Sequence, residues 1–420
     1  MSLVSFLMVV VMIFVTCWNM LRPRDLKLQA EPVVQNIEIE LGGASLEEIF
    51  SNDKGVTYYD NTLVVYGGDK VKTYEGVQLK GRGNSTWGAD KKPFQIKLSN
   101  KDGFLGMKPG KKWVLLADFY DPTHLRNETA FYLERVIGEK YPVESRYANL
   151  TIDGEAQGLY LVTSKIEIGK NSVDLRDKLG ILVELDNLHL DDCTFSVKHT
   201  CIVAKDVVAE DDMGLAKDEF MASFNELEGL LDGGEYADIE RLIDVDSFAK
   251  YYLLSEFTVN PDAYVSSFFM YKDGLEDKIH AGPGWDFDLT FGNQEWWNWV
   301  KVEQEFRPNS FLNFHANENT LIGKLLKYPE FRRRAYNIYS ETLAKRETEI
   351  VEHVRRTAAV IKDDAVIDAG MWERSDYVES VDGLVKWIEG RLAYFRYDFW
   401  EQMEAFYDDT IVPETIENVV

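Results

Sequence analysis

The chain is poor in the residues that most often announce a reaction. It has three cysteines and six histidines in 420 residues. No H-x-x-x-H pair and no Cys/His set with zinc spacing occurs. Cys193 and Cys201 flank a short hairpin-like segment; a disulfide and two free thiols are both compatible with that spacing. Basic residues are scarce: 46 Lys and Arg stand against 72 Asp and Glu, a net charge of −26. That excludes broad nucleic-acid binding, which needs basic surface to meet phosphates. A P-loop, G-x-x-x-x-G-K-[ST], is absent, and so are internal repeats. Hydrophobic residues make up 45%, which excludes wholesale disorder.

One long hydrophobic run is present, over residues 3–21. No Lys or Arg precedes it, and Arg22, Arg24 and Lys27 follow. We read 1–21 as a signal or membrane-anchor segment and 22–34 as a linker, with an extracytoplasmic body, membrane-anchored or secreted. Residues 35–205 carry short β-like runs, such as Ile37–Leu41, Thr62–Tyr66, Tyr147–Ile152 and Gly180–Leu185. Asp153-Gly154 signals a hairpin turn, and a helix is expected from about Pro122 to Ile137. Residues 206–405 read as mainly helical and 406–420 as an acidic tail.

Chemistry concentrates in Gly282-Pro-Gly-Trp-Asp-Phe-Asp-Leu-Thr-Phe-Gly292. In a strand, Asp286 and Asp288 would share a face. Paired acids among apolar residues repel each other and resist burial unless a cation lies between them. Magnesium, held by one or two carboxylates and substrate phosphates, fits. Upstream, Asp246–Thr258 has helical periodicity, with Asp244 or Asp246 as its cap. Asn260-Pro-Asp262 breaks that helix, and a hairpin from Ser267 to His280 follows. The hairpin should bring Asp262 and Asp286 to one site.

These segments, with Lys80-Gly-Arg-Gly-Asn-Ser-Thr-Trp87, Lys91–Leu98, Trp113–Asp118, Asp121–Asn127 and the tail motifs Leu325–Phe331 and Trp387–Arg391, resemble the CotH family of atypical kinases over about residues 35–400. The resemblance implies an α+β, atypical protein-kinase-like two-lobed fold with a β-rich N-lobe and a mainly helical C-lobe. It implies ATP- and Mg²⁺- (or Mn²⁺-) dependent phosphorylation of protein Ser or Thr. Asp262 takes the base role and Asp286, with Asp288, the metal role. The usual His-Arg-Asp and Asp-Phe-Gly strings are missing, and Ser267 stands where protein kinases carry a metal-holding asparagine.

Arg82, Asn84, Ser85 and Thr86 of the glycine-rich segment are candidate phosphate contacts, because glycines let backbone N–H groups approach an anion. Lys97 is the candidate strand lysine for the α/β-phosphates, with Glu128 or Glu134 as its ion-pair partner. Lys91, Lys92 and Arg126 are second-rank phosphate contacts, Arg126 alternatively a clamp on Asp118 or Asp121. Val162–Lys165 and Glu184–Asp186 are expected to read adenine through their backbone. Trp296, Trp297 and Trp299 follow the metal segment as a sugar- or peptide-binding face or as core. Two other functions compete: a non-catalytic nucleotide-binding or adhesin-like surface module, and a glycoside hydrolase using Asp262 with Asp286 or Asp288.

Overall fold

The computed structural model describes residues 33–67, 70–187, 192–293, 309 and 319–408. The apolar run 3–21, the three downstream tryptophans and most of the expected acidic tail lie outside these residues. Among the described residues, no helix is long and apolar enough to cross a membrane.

The N-terminal part is a closed barrel. Its strands are β1 (Gln35–Glu40), β2 (Thr57–Gly67), β3 (Lys70–Gly81), β4 (Phe94–Asp102), β5 (Gly110–Leu116), β6 (Ser145–Ile152) and β7 (Glu155–Ser164), in the order β1-β2-β3-β4-β5-β7-β6. Neighbours are antiparallel except β1 and β6, whose parallel pairing sets Ile37 against Leu150 and closes the ring. Alternation decides which side faces in. Leu79, Ile96 and Trp113, aligned across β3, β4 and β5, are fully buried in the barrel core. Each such side chain contributes roughly 1.5–3 kcal/mol by leaving water. A short helix, α1 (Leu46–Ser51), is capped by Ser45 and adds Leu46 and Ile49 to this core. Asp153 (φ +48°) and Gly154 (φ +80°) form the expected hairpin turn between β6 and β7. The expected helix of this region, α2 (Arg126–Ile137), starts later than its sequence pattern suggested.

A second, five-stranded sheet joins segments far apart in sequence. Its strands are β8 (Gly180–Leu185), β9 (Thr194–Phe195), β10 (Cys201–Val207), β11 (Phe268–Asp273) and β12 (His280–Ala281), in the order β12-β11-β8-β10-β9. Every residue of β8 is buried, as expected of a central strand covered on both faces. The expected border at 205/206 falls inside β10, and the sheet pairs β8 with β11 across it. The plain two-lobe expectation is therefore corrected: the β-rich part is a seven-stranded barrel, and a separate sheet carries strands from both expected lobes. Cys193 and Cys201 are joined in a disulfide beside β9 and β10.

The remainder is helical: α3 (Met213–Leu230), α4 (Tyr236–Leu242), α5 (Val245–Thr258), α6 (Leu321–Leu325), α7 (Pro329–Glu341), α8 (Glu347–Met371), α9 (Tyr377–Tyr397) and α10 (Phe399–Tyr407). Asp244, not Asp246, caps α5, its carboxylate accepting the N–H of Ser247 at 2.8 Å. Asp246 instead pairs with Arg334 of α7.

Candidate functional site

Helix α5 ends at Val259, whose φ of +50° is unusual for a β-branched residue and costs on the order of 1–3 kcal/mol. The strained turn delivers Asn260-Pro261-Asp262. The Asn260 side-chain oxygen accepts the N–H of Asp262 at 3.1 Å, and its amide reaches the carbonyl of Asp286 at 3.4 Å. One side chain thus ties the acidic turn to the segment that carries Asp286 and Asp288. The N–H groups of Val265 and Ser266 donate back to the Asp262 carbonyl. Ser267, at φ +54°, precedes β11, and neighbouring Ser266 donates to Asp186 at 2.9 Å.

After β12 the chain is not a strand but an irregular loop, and the two acids do not share an exposure. Asp286, at φ +69°, is exposed, whereas Asp288 is 8% exposed. Burial pushes the Asp288 carboxyl well above the ordinary range, and Asp286, Asp118, Asp121 and Asp262 push it further. Burial and then Asp121 raise Asp118 to about 7, and one of its buried oxygens has no hydrogen-bond partner. Asp121 is also buried, yet Arg126 and Thr123 hold it below the usual carboxylate range. The structure therefore gathers Asp262, Asp286 and Asp288 at one site and adds Asp118 and Asp121. Among the described residues, no set of three or more His, Cys, Asp or Glu is arranged as a ready-made metal cage. Crowded hard oxygen donors, one with an orphaned lone pair, still suit a small divalent cation that takes its remaining ligands from a substrate phosphate.

Helix α2 holds this loop in place. Glu134 accepts the N–H of Gly284 at 2.5 Å and that of Val143 at 3.1 Å. Asn127 accepts the N–H of Phe287 at 2.9 Å and donates to Asp118 at 2.9 Å. Arg126 donates to the carbonyl of Thr290 and is paired with Asp121. Phe131 packs on Trp285 and Phe287. Asn127 ends the segment Asp121–Asn127 that carries the resemblance, but only tertiary contact gives it a role of its own.

The candidate phosphate residues divide. Arg82 faces the acids: its guanidinium lies 5.1 Å from the Trp285 ring, and its environment includes Asp286 and Glu184. One of its buried nitrogens has no hydrogen-bond partner. Asn84 receives Lys54, which also donates to the Gly83 carbonyl. Ser85 and Thr86 open a single 3₁₀ turn, and Tyr120 ties the Ser85 carbonyl to the neighbourhood of Asp288. Gly83 (φ +80°) must be glycine there, because a Cβ would sit 1.9 Å from the Thr86 hydroxyl.

The other candidates have partners elsewhere or none. Lys92 donates to the Trp87 carbonyl. Arg126 is the clamp on Asp121 just described. Glu128 is buried against His353 at 2.9 Å, and Glu134 is committed to backbone, so neither pairs with Lys97. Lys97 lies on the outer face of β4, opposite Lys112, without a partner among the described residues. The backbone of Val162–Ser164 is consumed by pairing with β5 and β6, and that of Glu184–Leu185 by β10 and β11. The last residue of each expected strip, Lys165 and Asp186, donates its N–H to the carbonyl of Lys112 and of Cys201.

Lys91 belongs to a buried ionic cluster that the sequence did not reveal. It is fully buried, donating to Asp368 of α8 at 2.5 Å and to the Leu159 carbonyl. His124 and Arg374 complete the shell around Asp368, and Arg374 also donates to the carbonyls of Asp118 and Asp121. Helix α8 thereby supports the acidic loop. The only advance signal was the paired Lys91-Lys92, and its spacing said nothing of burial.

Among solved structures, one described as the Golgi casein kinase is similar at 10% identity with a TM-score of 0.28, covering 90% of this chain and 76% of that one. Among curated proteins, the chain is similar to the inner spore coat protein H of Bacillus subtilis (strain 168), 21% identical over 276 residues, 64% of this chain and 71% of that protein. The family model described as CotH kinase protein matches residues 79–395, from the glycine-rich segment through the acidic loop and the helices that support it. With well over half of its length matched, the chain belongs to the CotH kinase protein family.

Proposed function

We propose that this chain is an ATP- and divalent-metal-dependent protein kinase that phosphorylates serine or threonine in surface or secreted proteins. The observation that carries the reading is the convergence of Asp262, Asp286 and Asp288, with Asp288 forced toward its neutral form by burial and by the other acids. Such crowding is relieved by a cation, and the donors are those that magnesium or manganese prefers. The membership in a family described as kinase supports the same reading.

In this mechanism Asp286 and Asp288 would hold the cation, which would supply positive charge to offset that of the nucleotide phosphates. Arg82 faces the same phosphates. The substrate hydroxyl oxygen attacks the γ-phosphorus, its proton passes to the Asp262 carboxylate, and the bond to the ADP oxygen breaks with its electron pair leaving on ADP. Asn260, by bonding the backbone of both Asp262 and Asp286, ties the base to the segment that would hold the metal. Transfer then depends on positioning and charge more than on covalent chemistry. The Cys193–Cys201 disulfide supports an oxidising, extracytoplasmic setting.

The test is phosphoryl transfer by the full-length chain from labelled ATP to a casein-like acceptor, with Mg²⁺ or Mn²⁺, beside Asp262→Ala and Asp286→Ala. Metal-dependent labelling that both substitutions abolish, with unchanged melting, is the expected result. ATP binding without transfer would move the chain to the non-catalytic class; absence of both would overturn the nucleotide reading.

A further inference from the structure

We infer that Lys80, Lys112 and Lys165, together with Arg82, form a polyphosphate-binding wall on the outer face of the barrel, taking the triphosphate of a nucleotide. The choice of nucleotide as the bearer of that triphosphate rests on the function proposed above; the anion site itself rests on the following observations.

Register places these cations. On β3, β4 and β5 the inward residues are Leu79, Ile96 and Trp113. Their neighbours Lys80, Lys97 and Lys112 must therefore face outward. Lys97 and Lys112 are direct cross-strand partners, an arrangement of like charges that destabilises a sheet. Lys165 follows the last residue of β7, and its N–H donates to the Lys112 carbonyl at 3.3 Å. Arg82 follows the last residue of β3 and turns toward Trp285 and Asp286.

The cations feel one another. Burial and then the charges of Arg82 and Lys112 lower the Lys80 ammonium. Burial and then Lys112 bring Lys165 down to about 8 against the opposing charge of Glu167, with Arg82 and Lys80 adding to the lowering. In a chain of net charge −26, such a group would be expected to collect carboxylates. Lys112 does, pairing with Glu167 at 2.7 Å. Lys80 and Lys165 have no ion pair or side-chain hydrogen bond among the described residues, although both are partly withdrawn from water. One Arg82 nitrogen is buried and unpartnered. Partly desolvated, mutually repelling cations beside the acidic loop, with only Lys112 of the three lysines in an ion pair among the described residues, make a site for a multiply charged anion. Fork-shaped Arg82 and point-charge lysines are the usual pairing for phosphates. Lys91, Lys92 and Arg126, by contrast, already spend their donors within the protein.

The experiment measures equilibrium binding of ATP, AMP and inorganic triphosphate to the full-length chain, with Lys80→Met, Lys165→Met and, for comparison, Lys92→Met. Each of the first two should weaken ATP and inorganic triphosphate about tenfold or more, as loss of a charge-assisted hydrogen bond requires, and AMP much less. Lys92→Met should change none of them appreciably. ATP and triphosphate affinities that stay near the parental values in folded Lys80→Met and Lys165→Met proteins would overturn the wall. So would an acidic peptide that binds through the same lysines while triphosphate does not. Failure of the kinase reading is separable: triphosphate binding that depends on Lys80 and Lys165, without transfer to any acceptor, keeps the wall and removes the reaction. Transfer that both lysine variants retain at low ATP would do the reverse.

Discussion

The side-chain oxygen of Asn127 accepts the N–H of Phe287 at 2.9 Å, fixing the peptide that follows Asp286. Its amide donates to Asp118 at the same distance, so one α2 residue joins the Asp286–Asp288 loop to the buried acid behind it. Replacing Asn127 with Leu removes both bonds and leaves a buried N–H and a buried carboxyl oxygen unmet. We expect a loss of about 1–3 kcal/mol in stability. Phosphoryl transfer should fall by at least about tenfold in protein that is still folded, since a shift of the metal loop costs positioning. Chemical denaturation and steady-state kinetics on the same preparation check both.

Asp368 and Lys91 are predicted to be unequal partners. Asp368 is fully buried and receives Lys91, His124, Arg374 and the Leu159 N–H. Asp368→Asn strands a fully buried lysine, and breaking such a pair from one side costs about 3–5 kcal/mol. Lys91→Met leaves Asp368 with Arg374 and His124, so its cost should be clearly smaller. Urea midpoints at constant slope measure the difference. Equal losses would show that Lys91 is not held mainly by Asp368.

His124 gives a pH dependence of known sign. Burial, the largest cause, lowers it from 6.5 to about 4. Between those values the unfolded chain binds a proton that the folded chain does not. The contribution is therefore complete above about pH 6.5 and is lost as the pH falls toward 4. Asp118, raised to about 7, acts in the opposite direction over an overlapping range. The clean readout is a comparison with His124→Asn, a residue that tolerates the φ of +56° at this position. The stability gap between parent and variant should change between pH 7 and 4.5, moving in the variant's favour on acidification. A constant gap would mean that His124 titrates normally.

The Cys193–Cys201 bridge closes a short loop, with a sequence separation of 8. Loop-closure entropy predicts about 2.5 kcal/mol of stabilisation. The bridge also neighbours the acidic turn through hydrogen bonds: Cys201 N–H to the Asn187 side chain, then Asn187 N–H to the Val265 carbonyl. Replacing both cysteines with serine should lower the melting temperature. Reductant should lower that of the parent and leave the variant unaffected, which a thermal melt with and without dithiothreitol resolves.

Much of the site's vocabulary was legible in the chain. Asn260-Pro-Asp262 and the Ser267–Tyr271 strand are local patterns whose turn and strand preferences are written in neighbouring residues, whereas Trp285-Asp-Phe-Asp288, whose acids a strand would set on one face, is an irregular loop. The helix Val245–Thr258 and the turn Asp153-Gly154 followed for the same reason. Partner choice was not legible, because the partners are distant. Lys91 and Lys92 are adjacent and chemically identical, yet the loop that leads into β4 buries the first against Asp368 and turns the second toward Trp87. Glu128 and Glu134 both looked able to meet Lys97, but α2 faces His353 at one and the Gly284 loop at the other.

The sequence by itself determined which segments could turn, pair or coil, and it placed acids on either side of one hairpin. Only the tertiary structure decided that the β-strands close into a barrel, since the parallel β1–β6 contact joins residues more than a hundred positions apart and no local preference encodes it. It likewise decided that Asp288 is buried among four other acids and that Lys80, Lys112 and Lys165 share one face. Burial and summed charge arise only when distant chain segments displace water from one another.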